Sequence, residues 1–330
     1  LEGEFIMKFQ NFQKLDNEII SQFLEFREKN PKPKKRINLA WSNWGFGIEP
    51  FEKSIARLAK YKVRYIELHG NRYGPDLGYK TKETKKILDD QGIRVSGICG
   101  MVSPQSELSS NKWQVIQTSI DYFRRQIEMC AEFEGSYVLF GPAAVGRPDK
   151  YDDNEFYRAV EALRILGDEF LKHNVRAGIE PIRVDETSHT HTYAEAKKLI
   201  VAVDHPGIKY IAGDVYHMMH GEHHISSVIV EYGDMLTNLH MADTNRMALG
   251  SGFLDLDLVL MALYVIGYNN DKCFCSAEPL GPGGDPYIQM YGSPDPAMLD
   301  DLVGQTASYF YEREEELLSV DPKELFRGSK

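Results

Sequence analysis

Four side chains in the later part of the chain have the types and spacing to share one cation. Glu180, Asp214, His240 and Glu278 each end a short β-rich run: 175–180 (VRAGIE), 209–214 (KYIAGD), 235–240 (MLTNLH) and 272–278 (KCFCSAE). Three carboxylates and one imidazole make a set of hard oxygen donors with one borderline nitrogen. They suit Mn²⁺, Co²⁺ or Mg²⁺, and Zn²⁺ is also compatible. Any one of them alone would be ordinary, a loop carboxylate before a proline or a hydrogen-bonded structural histidine. Four in register are harder to dismiss, because charged groups are costly to desolvate unless paired or metal-bound.

More polar groups follow the same run ends. His217 comes in Asp214-Val-Tyr-His217, Glu186 in Glu180-Pro-Ile-Arg-Val-Asp-Glu186, and Arg246 in His240-Met-Ala-Asp243-Thr-Asn-Arg246. His69 opens a Gly-rich stretch that continues to Tyr79. Each alone would be a surface charge; gathered at one mouth, they could bind sugar hydroxyls and a carbonyl.

Such a gathering needs a scaffold that brings strand ends together. Further β-rich runs lie at 37–41, 63–68, 93–98 and 136–140, and helical patterns separate the runs near 49–60, 81–91, 111–133, 153–173, 192–204, 222–232 and 255–267. The clearest helix carries Ile116, Ile120, Phe123, Ile127 and Cys130 at alternating spacings of four and three. A last helix near 296–318 follows the eighth run. Strand–helix alternation of this kind predicts an α/β fold, a (β/α)8 TIM barrel, whose active sites form at the C-terminal ends of the strands. The absence of a Gly-x-Gly-x-x-Gly after the first run disfavours an open dinucleotide-binding sheet. Residues 12–29 read as an amphipathic helix ahead of the barrel, expected to pack across its floor or to dock on a partner. The division is a 1–35 extension, of which Leu1 to Ile6 precede Met7 and are left out of the fold reasoning, and a 36–330 catalytic barrel.

The bulk numbers agree with this. A barrel takes about 250 residues plus insertions, and the chain has 330. Its net charge of −11 makes nucleic acid a poor partner. No apolar run approaches the roughly 18 residues of a membrane span, and no signal-peptide pattern opens the chain. Four cysteines without a paired framework or a Cys-x-x-Cys spacing suit a reducing cytoplasm.

The stretches IEPIRVDE, GDVYHM, NLHMADTNR, GSGFLDLD and AEPLGPGG resemble the xylose-isomerase-like sugar isomerase/epimerase superfamily, and within it the ketose 3-epimerases. The resemblance spans about 37–318 and is sharpest in 178–284. It implies one divalent metal on Glu180, Asp214, His240 and Glu278, with Glu186, His217 and Arg246 on the substrate. It also implies a mechanism in which the ion acidifies the C–H beside a ketone, and Glu180 and Glu278 act as base and acid on opposite faces of the sugar. The chain overall also looks like the large subunit of C-glycoside deglycosidases, which work with a small partner subunit on 3-keto-glycosides. There the same enolate would expel an aglycone by β-elimination, with His69, His189, His191 or His217 serving the leaving group. The Gly-rich stretch after His69, the run Pro279 to Pro296, and Trp41-Ser-Asn-Trp44-Gly-Phe46 could enclose a keto-glycoside bulkier than a free hexose. On these grounds the carbon–carbon lyase is slightly preferred to the epimerase or isomerase, and self-association into a homo-oligomer is expected of such barrels.

Overall fold

The computed structural model describes residues 11–70, 78–100, 102–281, 284 and 286–321. Eight parallel strands hydrogen-bond in sequence order and close on themselves. They are β1 (Asn38–Ser42), β2 (Tyr65–His69), β3 (Arg94–Gly100), β4 (Tyr137–Phe140), β5 (Arg176–Ile179), β6 (Tyr210–Asp214), β7 (Leu236–Met241) and β8 (Phe274–Ala277). The ring is sealed by β1 pairing with β8, Asn38 opposite Phe274 and Trp41 opposite Ala277. The helices among the described residues are α1 (Asn11–Lys29), α2 (Phe51–Lys60), α3 (Thr81–Gln91), α4 (Trp113–Glu132), α5 (Glu155–His173), α6 (Tyr193–Val203), α7 (Val215–Gly221), α8 (Ile225–Glu231), α9 (Leu256–Val265), α10 (Pro286–Tyr291) and α11 (Pro296–Ser319). This is the (β/α)8 barrel with an N-terminal helical extension.

The period of two along each strand sorts its side chains. On β2, Ile66 and Leu68 join the aliphatic layer between strands and helices, while Tyr65, Glu67 and His69 alternate to the inside. That outer layer takes the buried stripe of α4, from Ile116 to Cys130. A smaller apolar cluster of Ala40, Tyr65, Cys99, Tyr137, Leu139, Ala212 and Phe274 fills the lumen.

Two expectations need correcting. The extension does not cross the barrel floor. α1 lies along the flank, packed on α8 and α9, with Ile19 and Phe23 buried and Asp16 bonded to His224 at 2.9 Å. The reason is its apolar stripe, which packs against the buried Tyr264 on α9: Phe23 and Phe26 lie 6.3 and 5.5 Å from that ring. The segment after β6 is also split. α7 starts directly on Asp214, and the helix expected from 222 begins at Ile225. Parts of both loops expected to enlarge the mouth, 71–77 with Tyr73 and residues 282, 283 and 285, fall outside the described residues, as does the side chain of Tyr287.

Candidate active site

The lumen changes character toward the C-terminal ends of the strands. Asp214 and His240 occupy facing positions in the β6–β7 register. Glu180 and Glu278 each stand one residue past their strand, yet keep the ladder: the Glu180 amide donates to the Phe140 carbonyl at 3.0 Å and the Glu278 amide to the Met241 carbonyl at 2.8 Å. All four side chains are buried. Glu180, Asp214 and His240 each offer an atom within 4.8 Å of the others, a group able to hold a metal ion. Glu278 stands close to the same imidazole, since Oε1 of Glu180 and Oε1 of Glu278 both lie 3.7 Å from His240 Nδ1.

The electrostatics show what so acidic a pocket would accept. Burial, with Asp214 and Glu278 nearby, pushes the Glu180 carboxyl well above the usual carboxylate range despite His240. Burial likewise raises Asp214, to about 6, against the pull of Arg246. Burial would lower His240, but Glu67, Glu278 and Glu180 outweigh it and hold the imidazole well above its ordinary value. A divalent cation would relieve this crowding of like charges, and the donor set is one that hard cations accept. The residues present therefore fit the metal that the sequence implies.

The residues expected on the substrate side divide. Arg246 is buried and donates from Nη1 to Glu278 Oε2 at 2.8 Å, while Ser42 donates to Glu278 Oε1 at 3.2 Å. Arg246 sits at φ 55°, a strained conformation for a side-chain-bearing residue, and its carbonyl is pinned by the amides of Leu280 and Gly281. His217, on the first turn of α7, lies with Nε2 3.6 Å from Asp214 Oδ2, and its buried Nδ1 meets no hydrogen-bond partner among the described residues. Burial, then Arg246 and Arg183, lowers it well below the usual imidazole range, so it faces the site neutral.

Glu186 stands one remove away. Its Oε1 takes Arg183 Nε at 2.5 Å, and Arg183 lies over the Tyr216 ring at 4.8 Å, with Arg246 at 4.1 Å from the same ring. His69, the last residue of β2, is buried with its ring 5.4 Å from that of Trp44; its amide donates to Asn43 Oδ1 and its carbonyl accepts from Tyr79. His189 belongs to a different neighbourhood, beside Thr190 and edge-on to Phe156.

Sequence reasoning missed Glu67. It is fully buried in the lumen, with Oε1 2.7 Å from His240 Nε2. The signal was available, because Glu67 lies two residues before His69 in β2 and therefore on the same face. Also unforeseen was a buried ion network behind the site. Arg147 Nη2 bonds Glu107 at 2.7 Å and Glu155 at 2.5 Å, Ser188 donates to Glu155, and the Arg147 amide donates to the Glu186 carbonyl at 3.1 Å. It fastens the loops after β3, β4 and β5 to one another.

The 3-dehydro-D-guloside 4-epimerase of Escherichia coli (strain K12) is 29% identical over 220 residues, covering 63% of this chain and 82% of that protein. The L-ribulose 3-epimerase of Methylomonas sp. (strain DH-1) is 23% identical over 241 residues, 72% of this chain and 81% of that one. Among solved structures, the D-psicose 3-epimerase of Clostridium cellulolyticum H10 with D-tagatose superposes with a TM-score of 0.72 at 19% identity, covering 86% of this chain and all of that one. The barrel and its cluster of buried metal-capable side chains are those of a metal-dependent enzyme. A family model for the xylose isomerase-like TIM barrel matches residues 55–289, well over half of the chain, and the protein therefore belongs to that family.

Proposed function

We propose that this protein is a keto-sugar epimerase whose one divalent metal, Mn²⁺ foremost, is held by Glu180, Asp214, His240 and Glu278. When bound, the ion would polarise a ketone and its neighbouring hydroxyl, making the adjacent C–H acidic. The single observation that carries this reading is the placement of the Glu180 and Glu278 carboxylates, each 3.7 Å from the same imidazole nitrogen. A sugar seated there would have a carboxylate on either side. One takes the proton as general base, and the other returns a proton from the opposite side, inverting the carbon. Arg246 holds Glu278 in place and, with His217, offers donors to substrate oxygens; Glu186 and His69 complete the substrate side. The neutral state of His217 suits a group that both donates to and accepts from hydroxyls.

The relatives from Escherichia coli and Methylomonas support reprotonation over elimination, because both are epimerases by name. One of them acts on a 3-keto-glycoside, which supports a substrate that still carries a group at its anomeric carbon. Expulsion of an aglycone from a 3-keto-C-glycoside, with a small partner subunit, would begin with the same proton transfer. It rests on overall sequence resemblance and no particular contact favours it.

The test is solvent-deuterium exchange. The protein, loaded with Mn²⁺, is incubated in D₂O with free ketohexoses, 3-keto-O-glycosides and 3-keto-C-glycosides. The expected result is deuterium beside the ketone together with the epimeric product, abolished by chelation. A released aglycone would replace epimerisation with elimination. Undiminished turnover after exhaustive chelation would overturn the proposal.

A further inference from the structure

Glu67 is a buried acid that the proposed reaction does not use. It stands mid-strand on β2, at a depth where barrels of this fold usually stack branched aliphatic side chains. Its carboxylate instead meets three polar partners. Tyr137 donates to Oε2 at 2.6 Å, Asn238 Nδ2 donates to Oε2 at 3.3 Å, and His240 Nε2 lies 2.7 Å from Oε1. These are themselves held. Ser276 donates to Asn238 Oδ1 at 2.7 Å, and its hydroxyl lies 3.1 Å from that of Tyr137.

The backbone is shaped for this layer. A Cβ on Gly97 would come within 2.6 Å of the Tyr137 ring, so only glycine leaves room for that ring in the lumen. The β2–β3 register shifts between Ile66 and Glu67, and the β6–β7 register shifts between Ile211 and Ala212, so that Asn238 rather than Thr237 faces Ala212. The extra residues are Ser96 on β3 and Thr237 on β7, and Asn238 and His240 follow the second of them to meet Glu67.

Glu67 could instead be a ligand, since Glu67, Cys99 and His240 also offer atoms within 4.8 Å of one another. Distance separates the two roles. Ligand atoms sharing an ion at bonds of roughly 2.1 Å stand about 3 Å or more apart. The 2.7 Å between Oε1 and Nε2 is a hydrogen bond, whereas the 3.7 Å from Nδ1 to Glu180 and Glu278 leaves an ion its room.

We propose that Glu67 is a positioning residue: by accepting from Nε2 it fixes the His240 tautomer whose Nδ1 lone pair faces Glu180 and Glu278, and so tunes the cation site. A hydrogen-bonded carboxylate behind a ligating imidazole commonly changes metal affinity by 10–100-fold. This inference rests on His240 being a ligand in the function proposed above.

The experiment titrates Mn²⁺ into the metal-free full chain by calorimetry and records the visible spectrum of the Co²⁺ form. It compares Glu67→Gln, Tyr137→Phe, Cys99→Ser and Asp214→Ala with the unaltered protein. The expected result is about 10–100-fold weaker Mn²⁺ binding and a shifted Co²⁺ band for Glu67→Gln. A smaller loss is expected for Tyr137→Phe, no change for Cys99→Ser, and abolished binding for Asp214→Ala. Should Glu67→Gln fail to fold, Tyr137→Phe decides by the same two readouts. Wild-type affinity and spectrum in Glu67→Gln, with binding lost in Asp214→Ala, would overturn the positioning role and leave the cation site standing. Equal losses in Glu67→Gln and Cys99→Ser would overturn it in favour of ligation. Full binding in Asp214→Ala would instead sink the cation site itself.

Discussion

Asp214 does two things with one carboxylate. Its Oδ1 accepts from the Tyr216 amide at 2.8 Å, capping α7, and its charge sits in the crowd around His240. The two roles are separable by substitution. Asn caps about as well as Asp, so Asp214→Asn should keep the melting temperature of the metal-free protein while weakening Mn²⁺ binding by at least about tenfold. Asp214→Ala should lose about 1 kcal/mol of stability as well. Calorimetric titration and thermal melts of the two variants check this, and equal melting temperatures would show that the cap carries no weight.

His189 offers a second test at this scale. Burial lowers its pKa to about 4, against the opposing charge of Glu155. An unfolded chain takes up that proton near pH 6.5, so the folded state disfavours it. The buried neutral ring therefore contributes stability above about pH 6.5, and that contribution is lost as the pH falls from there toward 4. His189→Gln should flatten the acid limb of stability, measured by urea melts across this range, and an unchanged slope would contradict it.

Among the elements, the loop after β5 depends on partners far away in sequence. Glu107 and Glu155 are buried, and Arg147 is their shared counter-charge as well as a backbone donor to Glu186. Removing one partner of a buried ionic network typically costs about 3–5 kcal/mol, because the remaining charges stay buried and unpaired. Arg147→Ala should therefore lower stability by roughly that amount and raise KM through the loosened Glu186. Chemical denaturation and steady-state kinetics read the two effects separately. No local pattern announces this network, since residue 107 lies in the βα unit of β3 and residues 147 and 155 in the next one, that of β4. The strand ends were legible for the opposite reason: each of Glu180, Asp214, His240 and Glu278 follows its own β-rich run, and a barrel gathers such ends by topology. Glu67 escaped notice because an acid flanked by Ile66 and Leu68 reads as part of a buried strand until the inward face is identified. α7 escaped because seven residues starting on the Asp214 cap carry too little periodicity to be seen.

At the scale of the whole molecule, the metal should act as a ligand of the folded state. A cation present at about 100 times its Kd adds about 2.7 kcal/mol. Chelation should accordingly lower the melting temperature by several degrees, with Mn²⁺ restoring it; a melt indifferent to both would argue against a resident ion. α1 adds to the same barrel from outside. Phe23 is fully buried against α9, and Phe23→Ala should cost about 3–5 kcal/mol, read by urea denaturation.

The Glu67–His240 contact has a mechanical meaning besides its chemical one. β2 and β7 are not neighbours: β1 and β8 separate them on one side of the ring and four strands on the other. The bond between these side chains is thus a tie-rod across the hollow of the cylinder, joining staves that no backbone ladder connects. In the proposed function, Mn²⁺ bound at the mouth would tighten one end of that rod. Amide hydrogens of β2 and β7 should then slow their exchange in step, ahead of those in β3 and β4, although the two strands are remote along the hoop.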